Sequence, residues 1–254
     1  MSTGLAMADR AREVILPFFR AARLTAENKD ATAFDPVTEA DRAAEAAMRE
    51  ILAERRPDDS IVGEEFGAHH GDSGLTWVLD PIDGTRGFIC GTPTWGVLIA
   101  VSNADGPLWG VIDQPYIGER FIGGFGSARC RGPMGETPLK TRSARPLSEA
   151  LILTTFPELG TAAEATAFHR LAKQCQLTRY GMDCYGYSLV AAGCVDLVVE
   201  AGLKPYDIQA PLAVVEAAGG VVTTWQGAPA HQGGQIIAAS CAEVHEAALA
   251  ILQG

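Results

Sequence analysis

Basic runs, long apolar stretches and paired cysteines are all scarce in this chain of 254 residues. Its 20 Lys and Arg stand against 31 Asp and Glu, a net charge of -11, and no local basic run offsets that field. A polyphosphate backbone is repelled by such a surface, so no nucleic-acid partner is expected. No stretch approaches the roughly 20 apolar residues of a membrane span, and the opening MSTGLAMADRAREVIL lacks the basic start and apolar core of a secretion signal. The expected location is therefore cytoplasmic, with no membrane partner. Cys90, Cys130, Cys175, Cys184, Cys194 and Cys241 form no C-x-x-C pair and have no histidine at zinc-site spacing. Free thiols are expected in place of a disulfide framework or a zinc centre. With 47% apolar and 20% charged residues the composition is that of an ordinary globular protein, not a disordered one.

Periodicity divides the chain into two halves of one compact unit, residues 1–140 and 141–254. Helical spacing runs from Ala8 to Leu24 through Ala11, Val14, Ile15, Phe18, Phe19 and Ala22, with Pro17 as a kink. A second helix is predicted from Thr38 to just before Pro57. Short apolar runs at Ser60–Val62, Thr76–Leu79, Gly96–Val101, Leu108–Ile112 and Phe121–Ile122 read as strands. The stretch Arg129–Pro146, rich in turn formers and poor in periodicity, reads as an irregular seam. Beyond it, strands at Ala150–Thr155, Val195–Glu200, Gly220–Thr224 and Ile236–Ser240 alternate with helices at Ala162–Gln174, Tyr185–Ala192, Asp207–Ala218 and Ala242–Leu252, an α/β pattern.

Four acid-bearing turns sit at the edges of these elements. The segment Trp77-Val78-Leu79-Asp80-Pro81-Ile82-Asp83-Gly84-Thr85 carries an apolar strand into two carboxylates three residues apart. Hard divalent cations take oxygen ligands, so Asp80, Asp83 and the Ile82 carbonyl form a candidate half-site; a D-P turn followed by a D-G turn is the alternative. Glu64, in Val62-Gly63-Glu64-Glu65, either joins that cluster or lies on a solvated loop. Asp41 either neighbours a metal cluster or completes a capping box with Thr38. Asp207, after Tyr206, is either a ligand or a helix N-cap. Asp183 stands between the same alternatives before its own helix.

Taken together and in this order, DPVTEAD, GEE, WVLDPIDGT and YD-x-x-A resemble the inositol monophosphatase family over essentially the whole chain. W-x-x-D-P-x-D-G-T is the most specific of these motifs. The resemblance implies an α/β fold of alternating α-β-α-β-α layers, a homodimer, and a small-molecule phosphate monoester as substrate. It also implies Mg2+, two or three ions, held by Glu64, Asp80, the Ile82 carbonyl, Asp83 and Asp207, with Asp41 near the cluster. Glu64 and Thr85 would orient and deprotonate the attacking water, and the amides of Gly84 and Thr85 would receive the phosphate. Where the family commonly has Asn and Phe after D-G-T-x, this chain has Arg86-Gly87-Phe88, and Tyr206-Asp207 replaces the usual Trp-Asp.

Substrate choice rests on two further acids. Glu200, seven residues before Asp207, matches the family's substrate-binding Glu by spacing. If Asp183 shares its pocket, the two carboxylates favour a cationic ester over a neutral polyol, because buried acids need compensating charge. DCYGY and VEAGLKPYDIQAP resemble the histidinol-phosphatase branch of the family. The expectation is thus hydrolysis of L-histidinol phosphate in histidine biosynthesis, with inositol 1-monophosphatase activity as the alternative. A non-catalytic, RNA-associated scaffold on the same fold is the alternative of another class.

Overall fold

The computed structural model describes residues 1–21, 26–28 and 36–254. Ala22, Leu24 and Asp35 of the expectations above lie outside them. Five layers follow one another: helices, an eight-stranded sheet, helices, a five-stranded sheet, helices.

The outer layer on the first sheet consists of helices Ser2–Ile15 and Glu39–Arg55. Met7, Ala11 and Ile15 from the first, and Ala44, Met48 and Leu52 from the second, bury one face each against Leu79, Val97, Ile99 and Val111. The first helix stops at Ile15, short of the sequence expectation, and Pro17 lies in the turn that follows. Its missing N–H and fixed φ suit a turn better than a helix interior. The second helix starts where expected: Thr38 Oγ1 accepts the Ala40 N–H at 3.2 Å, and Asp41 Oδ2 accepts the Thr38 N–H at 2.9 Å.

From edge to edge the large sheet runs Gly135–Pro138, Ser127–Gly132, Glu119–Gly124, Gly106–Gln114, Gly96–Asn103, Thr76–Asp83, Ser60–Gly63 and Gly67–His69. Only the Ser60–Gly63 and Thr76–Asp83 pair is parallel. Strand Gly96–Asn103 is buried on both faces almost throughout, as its unbroken apolar run requires when helices cover both sides. Of the expected seam Arg129–Pro146, residues 139–146 carry no regular element, but the part before them is corrected here. Ser127–Gly132 and Gly135–Pro138 form an edge hairpin in which exposed polar side chains and short length hide the strand period.

The second sheet has the order Leu177–Tyr180, Leu151–Thr154, Leu197–Leu203, Gly234–Ala239 and Val221–Thr224, the first three parallel and the rest antiparallel. Its outer face is covered by helices Ala162–Ala172 and Ala242–Gln253. Helices Tyr185–Ala191 and Pro205–Ala217 fill the space between the sheets. The latter is buried from Ile208 to Val215, and a helix that is apolar all round belongs in such a layer. Close approach of its backbone explains two strand glycines: a Cβ at Gly110 would lie 2.7 Å from the Ala210 carbonyl oxygen, and one at Gly123 would lie 2.4 Å from the Val214 Cα. Among the described residues no helix is long and apolar enough to cross a membrane.

Asp59 ties the start of the parallel pair together. Its carboxylate accepts from the buried Trp77 indole at 2.8 Å, from Ser73 at 2.6 Å and from Arg56 at 2.7 Å. Burial pushes its pKa up, but these three donors together hold it below 3.8. Asp59→Ala should destabilise the protein by about 1–3 kcal/mol at neutral pH, chiefly by stranding the Trp77 N–H; the partly exposed Arg56 adds little. Because the folded pKa is depressed, this contribution is present above the unfolded value and lost as pH falls through the folded one. Denaturant titrations of wild type and variant should therefore converge in acid.

Candidate active site

A regular strand cannot aim Asp80 and Asp83 at one point, since side chains three residues apart point to opposite faces. The register supplies the correction: Asp80 pairs with Leu98 but Asp83 with Gly96, three steps on one strand against two on its neighbour. This bulge, between Asp80 and Asp83 where the chain carries Pro81, restores both acids to one face. Val78, two residues before Asp80, belongs to the core between the sheets, so that face looks into the middle layer. Asp207 arrives from the first turn of the middle-layer helix Pro205–Ala217. One carboxylate oxygen from each of Asp80, Asp83 and Asp207 lies within 4.8 Å of the others.

Electrostatics mark the cluster. Burial, followed by the charges of Glu64, Asp83 and Asp207, pushes Asp80 well above the ordinary carboxylate range. Glu64 also hydrogen-bonds Asp80, which brings the predicted fourth acid to the group. Asp83 is likewise raised, by burial and then by Asp183 and Asp207, although the Cys184 N–H donates to its Oδ2 at 2.6 Å. Asp80 Oδ1 is buried without a hydrogen-bond partner. An all-oxygen donor set with an unsatisfied buried carboxylate atom and mutual repulsion fits a hard divalent cation. The Ile82 carbonyl accepts the Thr85 hydroxyl at 3.1 Å. Asp41 is fully buried, with Oδ2 taken up by the Thr38 cap, and does not share the three-carboxylate cluster.

Both N-cap alternatives are corrected. Asp207 is the third residue of its helix, with Pro205 first, and its Oδ2 accepts the Lys204 N–H at 2.7 Å. Helix Tyr185–Ala191 has Cys184 as its N-cap residue, and Asp183 turns away with φ at 47°. Its carboxylate accepts instead from Thr94 Oγ1 at 2.7 Å. Burial raises the Asp183 pKa, opposed by Thr94 and by the nearby charge of Arg86.

Gly84 makes this placement possible. It has φ at +84°, caps the short helix Thr85–Cys90, and a Cβ there would stand 2.7 Å from Asp183 Cγ. Gly84→Ala should cost about 1–3 kcal/mol of stability through the left-handed backbone alone. It should also lower kcat/KM at temperatures where the variant remains folded, because Asp183 must move. Thermal melts and steady-state kinetics on the same preparation check both effects.

Glu200 shares the parity of Val198 and so faces the middle layer from the second sheet. It accepts from the Thr155 N–H at 2.7 Å, from Thr155 Oγ1 at 2.9 Å and from Thr154 Oγ1 at 3.3 Å. Burial nonetheless pushes its pKa up to about 7. Asp83, Asp183, Glu200 and Asp207, with Gly84 and Thr85, line one cavity of about 330 Å³. Sequence reasoning missed the residues that hold these acids. Thr94 and Thr155 are loop hydroxyls with no pattern to flag them. Glu45, buried in a helix, accepts the Glu65 N–H at 2.7 Å and the Phe66 N–H at 3.2 Å beside Glu64.

A five-layer α/β fold with clustered carboxylates opening onto a small cavity is an arrangement suited to cation-assisted chemistry on a small molecule. The chain belongs to the inositol monophosphatase family, whose profile matches residues 2–254, and is therefore a phosphatase. It is 39% identical over 263 residues to the Arabidopsis thaliana protein named bifunctional phosphatase IMPL2, chloroplastic, covering 99% of this chain and 74% of that one. The histidinol-phosphatase of Mycobacterium tuberculosis is 35% identical, covering 92% of this chain and 90% of the relative. Among solved structures, an inositol monophosphatase from Zymomonas mobilis superposes with a TM-score of 0.88 at 41% identity, covering 100% of this chain and 97% of that one.

Proposed function

We propose that this phosphatase hydrolyses L-histidinol phosphate to L-histidinol and phosphate, with Mg2+, as a step of histidine biosynthesis. One observation carries the reading. Asp183 and Glu200 line the same cavity as Asp83 and Asp207, so the cavity holds more carboxylates than a cation-plus-phosphate site needs. A substrate with a protonated amine brings a positive charge to these two acids, of which Asp183 already has Arg86 nearby, whereas a neutral polyol brings none. The relative from Mycobacterium tuberculosis bears the corresponding name. Inositol 1-phosphate is the second reading, favoured by the name of the Zymomonas mobilis structure.

In this reading Asp80, Asp83, Asp207, Glu64 and the Ile82 carbonyl hold two or three Mg2+ ions. Bound there, the ions supply Lewis-acid neutralisation of phosphoryl charge. The N–H groups of Gly84 and Thr85, at the start of a helix, receive the phosphoryl oxygens. Thr85 donates its hydroxyl hydrogen to the Ile82 carbonyl, which leaves its oxygen lone pairs to accept from an attacking water. Glu64 takes the proton of that water. Glu200 and Asp183 bind the ammonium group and fix the ester with its leaving oxygen toward Asp207. Asp41 acts at one remove, by fixing the helix that carries Glu45 and hence the Glu64 loop. The working unit is a homodimer in the cytoplasm.

Phosphate release from histidinol phosphate tests this reading. Turnover should require added Mg2+, vanish with EDTA and return when Mg2+ is restored in excess. Turnover that survives EDTA and exhaustive dialysis would contradict the assigned role of the acid cluster.

A further inference from the structure

Phe156 follows directly on Thr155, the residue whose N–H and O–H hold Glu200. The strand Leu151–Thr154 ends just before it, and the turn that follows presents the ring at the mouth of the cavity. Although most large apolar side chains of the chain are buried, Phe156 is 43% exposed. Across the mouth stands Arg86, which follows Thr85 in the chain. Its guanidinium carbon lies 4.9 Å from the Phe156 ring centroid. An aromatic face attracts cations and planar, delocalised nitrogen groups. The guanidinium on the ring shows what kind of group the face accepts, since a guanidinium and an imidazole share planarity, delocalisation and N–H edges.

We infer that Phe156 is a specificity-determining residue whose ring stacks on the planar nitrogen heterocycle of the substrate, in exchange for Arg86. The inference rests on the proposed substrate class and deepens it: the acids read the amine, and Phe156 reads the ring. Thr155 and Phe156, adjacent in the chain, couple the two. When the heterocycle takes the ring face, Arg86 is released next to Gly84 and Thr85, where its positive charge suits a phosphate ester. A short aliphatic side group gains nothing from Phe156 and leaves Arg86 in place.

The test compares two esters that share the amine and the phosphate and differ in the ring, L-histidinol phosphate and L-alaninol phosphate. Wild-type kinetics come first. Absence of histidinol phosphate turnover beside turnover of inositol 1-phosphate would overturn the substrate reading, and this inference with it. Given turnover, the ratio of kcat/KM for the two amine esters tests Phe156 alone. Phe156→Ala should lower that ratio about tenfold, mostly through KM for histidinol phosphate, while Phe156→Tyr and Phe156→Trp should restore it. An unchanged ratio, whether both rates hold or both fall together, would overturn the assignment, as would a ratio that falls equally in the Tyr and Trp variants.

Discussion

Asp80→Asn is expected to lower kcat/KM by at least about a thousandfold, some 4 kcal/mol of transition-state stabilisation, since loss of one ligand disturbs charge neutralisation throughout the cluster. The same variant should be more stable than wild type when divalent cations are removed. Asp80 is buried among Glu64, Asp83 and Asp207, and burial and like charge both raise its pKa, so its ionised form opposes folding. Each pKa unit corresponds to about 1.4 kcal/mol, and removing the charge should raise the melting temperature of the metal-free protein by several degrees. Activity and stability thus move in opposite directions. Calorimetry with EDTA, beside kinetics with Mg2+, reads both. A variant that loses activity and stability together would reduce Asp80 to a packing residue.

Glu200→Gln carries the second large effect. Removing one partner of a buried charge pair costs about 2–5 kcal/mol, so kcat/KM for histidinol phosphate should fall about a hundredfold or more, with a much smaller change for inositol 1-phosphate. Burial raises the Glu200 pKa to about 7, so the carboxylate gains its charge as pH rises through that value. The selectivity of wild type for the amine ester should therefore climb across pH 7, and that of Glu200→Gln should not. Stability runs the other way. Between the ordinary glutamate value of 4.5 and about 7 the folded form holds this proton more tightly than the unfolded chain, so the contribution falls as pH rises through the window. The variant lacks that slope.

What the sequence shows of this site depends on range. Asp80 and Asp83 are visible as a pair because the acids, Pro81 and Gly84 are neighbours in one motif. That they point the same way depends on a one-residue bulge, which is a property of pairing with Gly96–Asn103 and leaves only Pro81 as a trace. Asp207 joins them from about half the chain away, a convergence that no periodicity encodes; only the order of the motifs suggests it. Asp183 reads equally well as a cap, because Asp is favoured both at helix N-caps and at positive φ, so its identity does not separate the two. The core is more legible on the helices: Ala44, Met48 and Leu52, and likewise Val244 and Ala248, fall on one face by spacing alone, whereas the unbroken apolar run of Gly96–Asn103 announces burial but no face. Edge strands such as Gly67–His69 and Leu177–Tyr180, short and largely exposed, carry too little contrast between faces to be read.

The most direct measurement of the central claim is kcat/KM for L-histidinol phosphate and for inositol 1-phosphate, on the same Mg2+-loaded protein at pH 8, where Glu200 is ionised. An acid-lined cavity that selects an amine should prefer histidinol phosphate by at least about a hundredfold, near 2.7 kcal/mol. Equal values, or a preference for inositol 1-phosphate, would contradict the assignment of Asp183 and Glu200 to the substrate's positive charge.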